Sequence, residues 1–491
     1  MEPTPMKHNA SKSASEDIIS RMPEDVIANI LDRLPIQYAL RTCILSKNWR
    51  FKWTLLSNVV FDKKFFEYLQ ELGGENRYDE RNIISRLLFH LKGSITKFHL
   101  YIPYGKVLDV KDINRWVIFL SRKGTKEFNF INTNIDINVE PIKLSTHIFS
   151  CVKLEHLTLH NCSLCPAPTF CGFPNLLSLD LRHVAFENGK FGEIITQCPL
   201  LELLEVTYTH LIGKVKVVEI AKLTNLKSLS FPLCRLDTVA ISNFLVYNLV
   251  GHFSKLQKLK LNLFTCKFLE ESSAGNWVRT SFCCLKTLML YNIDFGSDSM
   301  LSFVFDMIWS SPELKTLVIS AAYSDAVPQP AFCYSELNHI SMEQLFKLQS
   351  VVFKSCRGSE NERYLIKNLL ACSPTLNKIN IFVNVVNNGN LIGCRLAANV
   401  FHLFIFQVIS ILCSIVLAVD YFTYMIKKGE KLVADLQLMC STFLYFKLSA
   451  LYAVEPNSNN DRVTVKGNGT DTMRVADQFV INNCMLTTHV G

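Results

Sequence analysis

The chain has 491 residues, 49% of them hydrophobic and 19% charged, a length that exceeds one ordinary core and calls for several domains or a structure that grows by stacking. Its balance of +8, from 51 basic and 43 acidic residues, is scattered along the sequence, so no basic stripe argues for a nucleic-acid partner. Seventeen cysteines spread through apolar positions do not resemble a disulfide framework, and residues 1–20 lack the apolar run of a secretion signal, so reduced thiols in the cytoplasm or nucleus are expected.

Residues 1–16 read as a polar, disordered tail. Residues 17–62 follow as a compact helical module punctuated by Pro23 and Pro35. In its first helix Val26, Ile27, Ile30, Leu31 and Leu34 recur at three- and four-residue spacing and form one apolar stripe. A second segment runs over Gln37–Leu45. Ser46 is placed to cap a third, on which Trp49 and Trp53 share a face. A module this small cannot enclose all of its apolar surface, which predicts that part of it waits for a partner.

The ordered set of residues in this module resembles the F-box. Ile18, Pro23, Ile27, Ile30, Leu31, Leu34, Pro35, Leu45, Ser46, Lys47, Trp49, Arg50 and Trp53 stand at pattern positions, and Met22 stands where Leu is usual. The resemblance implies a contact with a Skp-family adaptor and, through it, a cullin-RING ligase. Met22, Pro23, Ile27, Ile30, Leu31, Leu34, Pro35, Leu45 and Trp49 would make that contact.

From residue 63 to 336, the leucine-rich-repeat region, and more weakly beyond it, a short phrase recurs with hydrophobes at positions one, four and six. Strong copies begin at Leu154, Leu176, Leu201, Leu226, Leu256, Leu285 and Leu314, at intervals of 22, 25, 25, 30, 29 and 29 residues, and weaker ones at Ile95, Leu337, Leu348 and Leu376. Each phrase is a short strand whose alternate residues share a core face, so one copy alone stays wet and stacking is required. Cys162, Val184 and Cys234, three residues beyond the last hydrophobe, are expected to be buried with it. Residues 337–383 read as strand, charged turn, helix with Leu365, Ile366, Leu369 and Leu370, and a final strand, which looks like the FBD module. In this order the chain resembles plant F-box/FBD/leucine-rich-repeat proteins. The expected fold is α/β: the helical F-box, then a leucine-rich-repeat solenoid, a strand-lined horseshoe with outer helices.

The tail, 384–491, contains 24 positions without a charge, 396–419, long enough to span a bilayer as an apolar helix or to form a buried one. Three readings stay open, a bilayer span, a buried helix and a tail that is not a selected structure, and with the first a membrane location and an alternative role as a membrane-anchored binding protein outside any ligase.

Function is expected to be binding rather than catalysis. The chain lacks a phosphate-cradling glycine loop, a His-Glu zinc helix, a nucleophile elbow and RING-spaced cysteines, and no cofactor is expected. Cys162, Cys165 and Cys171 with His156 and His160 do not amount to a metal site, since Cys162 already has a core role. An unidentified protein substrate is expected on the concave strand face, at His160, Asp180, Arg182, Glu205, Lys258, Lys260 and Tyr291, with the two lysines favouring an acidic or phosphorylated segment.

Overall fold

The computed structural model describes residues 19–73, 79–135, 141–170, 172–189, 191–207, 213–238, 251–266, 282–323, 345, 347–357, 359–387 and 390–399. All of them lie in the first of two compact units, which ends at residue 419.

The amino-terminal module begins with helix Glu24–Leu31, entered from an extended Pro23, and helix Ile36–Arg41, entered in the same way from Pro35. The expected single stripe is split in two. Ile27 and Leu31 are fully buried, while Val26, Ile30 and Leu34, one residue earlier on the next i, i+4 row, stay 38–39% exposed. The third segment is not one helix. It is two 3-10 turns, Lys47–Trp49 and Lys52–Leu55, separated by Phe51 at φ −123° and ψ 11°, so Trp49 and Trp53 do not share a helical face. Ser46 does cap the first turn, its Oγ accepting from Trp49 N at 3.3 Å. Trp49 is buried, whereas Trp53 is half-buried.

Fourteen strands follow among the described residues. The first group is β1 Asn58–Phe61, β2 Lys97–Ile102, β3 Glu127–Asn132, the two-residue β4 Ile142–Lys143, β5 His156–Leu164, β6 Ser178–Phe186 and β7 Leu203–Thr207. The second is β8 Ser228–Pro232, β9 Lys258–Asn262, β10 Thr287–Ile293, β11 Thr316–Ala321, β12 Ser350–Cys356, β13 Lys378–Asn387 and β14 Asn390–Asn399. Each pairs with the next in sequence order and, up to β13, in parallel; β4 only flanks β5. Connections that carry helices, such as Val110–Ser121, Asp298–Trp309 and Glu360–Cys372, pack apolar side chains against the sheet.

Register shows why the repeat works. Leu157, Leu179, Leu204, Leu229, Leu259, Leu288, Leu317, Val351 and Ile379 stand side by side on successive strands, each 4% exposed or less. Each rung covers the apolar face of its neighbour, which is the reason the phrase must recur. Two rungs lack the leucine signature: Leu56-Val59-Phe61 supplies β1, and Thr125-Phe128-Phe130 supplies β3, with the buried Thr125 hydroxyl donating to Leu120 O at 3.1 Å. The copy at Leu337 lies outside the described residues.

After the outward residue that ends several rungs, the chain passes through the left-handed region at Asn161 (φ 52°), His183 (52°), Asn292 (61°) and Ser355 (59°). This turn delivers Cys162, Val184, Ile293 and Cys356 into the core. Asparagine tolerates this conformation best among residues with a Cβ, and Asn292 Nδ2 also donates to Asn262 Oδ1 on the preceding rung at 2.6 Å. Cys234 departs from the rule: it is half-buried, and Leu233 fills the core in its place.

The helical module is tied to the ladder by Asp32. One carboxylate oxygen accepts from the backbone N–H of Ser57 and Asn58, both at 2.9 Å, and the other from Ser57 Oγ at 2.6 Å. Three donors on one carboxylate form a strong clasp. Asp32→Ala is expected to lower stability by about 2 kcal/mol in a urea titration, with Asp32→Asn recovering part of it; an unmoved midpoint would show the clasp to be idle.

At the other end the residues expected to open an apolar helix do otherwise. Leu396–Asn399 belong to β14, which pairs antiparallel with β13 from Asn387↔Asn390 to Lys378↔Asn399. Pairing satisfies the β13 backbone groups that a terminal strand would otherwise leave open. The rest of the charge-free segment, 400–419, lies outside the described residues, and among the described residues no helix is long and apolar enough to cross a membrane.

Candidate functional site

Two surfaces carry the residues singled out from the sequence. The first is on the helical module, where Ile19, Val26, Ile30, Leu34, Tyr38, Ile44, Leu45 and Phe51 are all exposed large hydrophobes, Ile44 at 78% and Leu45 at 67%. Of the nine residues expected to meet an adaptor, Pro23, Ile30, Leu34, Pro35 and Leu45 are exposed and Met22 is half-buried. Ile27, Leu31 and Trp49 are not available for such contact: they are buried in the chain's own core and set the shape of the helices beneath the patch. Tyr38, Ile44 and Phe51 were not singled out, because apolar spacing does not reveal which side chains a six-residue helix and the 3-10 turns after it leave outside.

The second surface is the sheet face opposite the leucine row. Strand alternation puts His160, Asp180, Arg182, Glu205, Lys258, Lys260 and Tyr291 there, and register joins most of them into one chain of contacts. Asp180 faces Glu205 on the next strand, with Arg182 between them: its Nε and Nη2 donate to the Asp180 carboxylate, both at 3.1 Å, and Nη2 lies 3.7 Å from Glu205 Oε1. Glu205 also accepts from Lys260 Nζ at 3.3 Å, across the intervening β8. Lys260 Nζ in turn sits 5.6 Å from the centroid of the Tyr291 ring. His160 Nε2 is 3.7 Å from Asp180 Oδ2, too far for a hydrogen bond, and it is buried with no other partner. Lys258 is exposed and stands apart from this chain.

Burial alone would raise the Asp180 carboxyl, but neighbouring His160 and Arg182 outweigh it and hold it below the usual carboxylate range. Such half-exposed ion pairs add little to stability; here they fix the directions of long side chains on an otherwise open sheet. Lys354 was missed by the sequence reading. It occupies on β12 the register position of Tyr291 and lies 5.8 Å from the same ring centroid. Its phrase, Leu348-Val351-Phe353, is one of the weaker copies, yet the residue after its last hydrophobe is exposed.

The buried thiols of Cys151, Cys162, Cys198, Cys356 and Cys372 belong to packing. Burial pushes the thiols of Cys151 and Cys266 up to about 12 and that of Cys162 higher still, which keeps them protonated and poorly nucleophilic. Cys165 bonds to Glu187, and Cys171 lies outside the described residues. Among the described residues no group of three or more His, Cys, Asp or Glu side chains is placed to hold a metal ion.

Comparison with known proteins matches a family model of the F-box domain over residues 19–60. A second model, of the leucine-rich repeats of the FBD-associated F-box protein At5g56370, matches residues 113–246. The F-box/FBD/LRR-repeat protein At1g13570 of Arabidopsis thaliana is 29% identical over 388 residues, covering 75% of this chain and 91% of its own length. The putative FBD-associated F-box protein At5g56560 of the same plant is 24% identical, covering 76% of this chain and 93% of its own. Among solved structures, the leucine-rich-repeat ectodomain of the Arabidopsis receptor kinase GASSHO1/SCHENGEN3 overlays 42% of the chain and 20% of its own, at 19% identity and a TM-score of 0.20. That likeness is too loose to bear on the fold.

Proposed function

We propose that this chain, an F-box protein with FBD-associated leucine-rich repeats, is the substrate-recognition subunit of a Skp-cullin-F-box ubiquitin ligase. F-box and leucine-rich-repeat domains imply a substrate-adaptor role of this kind, and such proteins are generally non-catalytic. The finer reading is that the exposed apolar side chains of the helical module dock on a Skp-family adaptor while the open sheet face holds a target protein. Ubiquitin would be transferred by other subunits, with rate coming from proximity.

One observation carries the reading. Eight exposed large hydrophobes fall within residues 19–51, against ten in all the described residues that follow. A solvated module has no use for such a concentration, which marks a surface completed by a second protein. Leucine-rich repeats supply the complementary need, a long, rigid, polar face that can be varied without disturbing the core. A cytoplasmic or nuclear location fits a partner found there.

The test is capture of a purified Skp-family adaptor, with its cullin, by the immobilised full-length chain. Stoichiometric retention of both is expected. An adaptor that passes through unretained would end the ligase reading and leave a repeat protein without an assigned partner.

A further inference from the structure

Charge is divided unevenly along the open sheet face. On β2 to β7 the outward side chains include Glu127, Asp180 and Glu205 beside Lys97 and Arg182. On β8 to β13 they include Lys258, Lys260, Lys354 and Lys378, and among the described residues no carboxylate. Lys258, Lys354 and Lys378 are exposed and have no ion-pair partner among the described residues. Lys260 has one, Glu205, which Arg182 also approaches.

Two of these cations converge. Lys260 from β9 and Lys354 from β12 lie 5.6 and 5.8 Å from the centroid of one ring, that of Tyr291. The ring offsets part of their mutual repulsion through its π face, and the remainder is left for solvent or for an anion. Ser320 and Asn262 flank the ring in register and add uncharged polar groups. A row of cations with hydroxyl and amide neighbours, spread along parallel strands, fits an extended anionic chain better than a compact ligand.

We infer that the lysine-bearing half of the face, centred on Tyr291, seats an acidic segment of the captured protein, with carboxylate or phosphate groups lying against Lys258, Lys260 and Lys354. The inference rests on the capture role proposed above and names the chemistry of its substrate.

The test uses fluorescence anisotropy on the full chain with three labelled peptides of equal length: oligoglutamate, a phosphoserine peptide and a neutral serine-glutamine peptide. Both acidic probes are expected to bind at least about tenfold tighter than the neutral one and to weaken as salt is raised. Lys258→Glu with Lys354→Glu should remove about tenfold or more of that affinity, whereas Lys111→Glu, on an outer helix, should not. The tighter of the two acidic probes identifies the anionic group. The milder Lys354→Gln, at an exposed site, serves should the double reversal fail to fold. Equal binding of acidic and neutral probes, or variants that bind as the parent does, overturns the inference. Adaptor capture is measured on the same preparations. A chain that selects acidic peptides but ignores the adaptor leaves this inference standing and ends the ligase reading; the reverse result overturns this inference alone.

Discussion

Replacing Ile30 and Leu34 together by aspartate is expected to weaken adaptor capture by at least about 100-fold while leaving the thermal midpoint of the chain within a few degrees of the parent. Both side chains are 39% exposed and stand on one i, i+4 row of helix Glu24–Leu31 and the turn that follows it. In the free chain a carboxylate at either position remains in water and costs little more than a few tenths of a kcal/mol in helix propensity. In the complex each would be stripped of water against an apolar surface without a cation to meet it. Desolvation of that kind costs about 2–3 kcal/mol per group even after relaxation, enough for the stated loss.

Leu31→Ala provides the contrast. Its side chain is fully buried, so truncation should cost about 2–5 kcal/mol of stability through the cavity it leaves. Any loss of capture would then follow from a loosened module and would be relieved on cooling or by ligands that stabilise the fold. Pull-down combined with a thermal melt separates the two cases. A double aspartate variant that melts normally and still captures adaptor at the parent's affinity would remove the exposed row from the interface.

The same pair of residues shows what was legible in the sequence and what was not. Apolar spacing located the helix, its prolines and its amphipathic side. It did not choose between Ile27-Leu31 and Val26-Ile30-Leu34, because the two rows lie only about 100° apart around the helix and both are apolar. The choice is made by tertiary neighbours: the Lys52–Leu55 turn and β1, onto which the clasp at Asp32 pulls the end of the helix. On the sheet, alternation alone was enough to place Asp180, Glu205, Lys260 and Tyr291 outward. Their contacts were not legible. Lys260 meets Glu205 across 55 residues of sequence, and that distance closes only when β7, β8 and β9 share one register. The rungs at β1 and β3 were overlooked for a simpler reason: their spacing is regular, but Val, Phe and Thr occupy places where leucine had been taken as the mark of the repeat.

The carboxylate of Glu362 is a buried charge that gathers several donors. The side chain is 1% exposed. It accepts from Ser359 N at 2.8 Å and from Arg357 N at 3.2 Å, and from the hydroxyl of Tyr323 at the end of β11, whose own titration burial and this bond push upward. Ser359 Oγ in turn accepts from Glu362 N at 3.3 Å and completes a capping box at the start of helix Glu360–Cys372. The Arg357 guanidinium lies 4.3 Å from the centroid of the Tyr323 ring and covers the group from outside. One carboxylate therefore joins β11, the turn after β12 and the helix that backs the last rungs.

Glu362→Ala would strand the Tyr323 hydroxyl and the Ser359 N–H at once and leave the Arg357 N–H only its bond to Tyr323 Oη at 3.2 Å, and about 4 kcal/mol of stability should be lost. Glu362→Gln keeps one acceptor oxygen but turns an amide N–H₂ toward donors, so about half of that loss is expected. Tyr323→Phe removes the donor to Glu362 and one of two acceptors of Arg357 N, which keeps its bond to Glu362, and leaves the capping box intact, at a cost of about 1 kcal/mol. In a stacked array a lesion at one end need not unfold the whole, so hydrogen exchange over 350–383 is the decisive measurement, with protection expected to fall there first and least on β5 and β6. Lys354 stands on β12 within that region, and its place beside Tyr291 depends on the rung staying paired. The Glu362→Ala chain should therefore lose acidic-peptide binding before it loses adaptor capture, which originates at the opposite end of the ladder. Uniform loss of protection along the sheet would instead make the array a single cooperative body and would deny the two surfaces any independence.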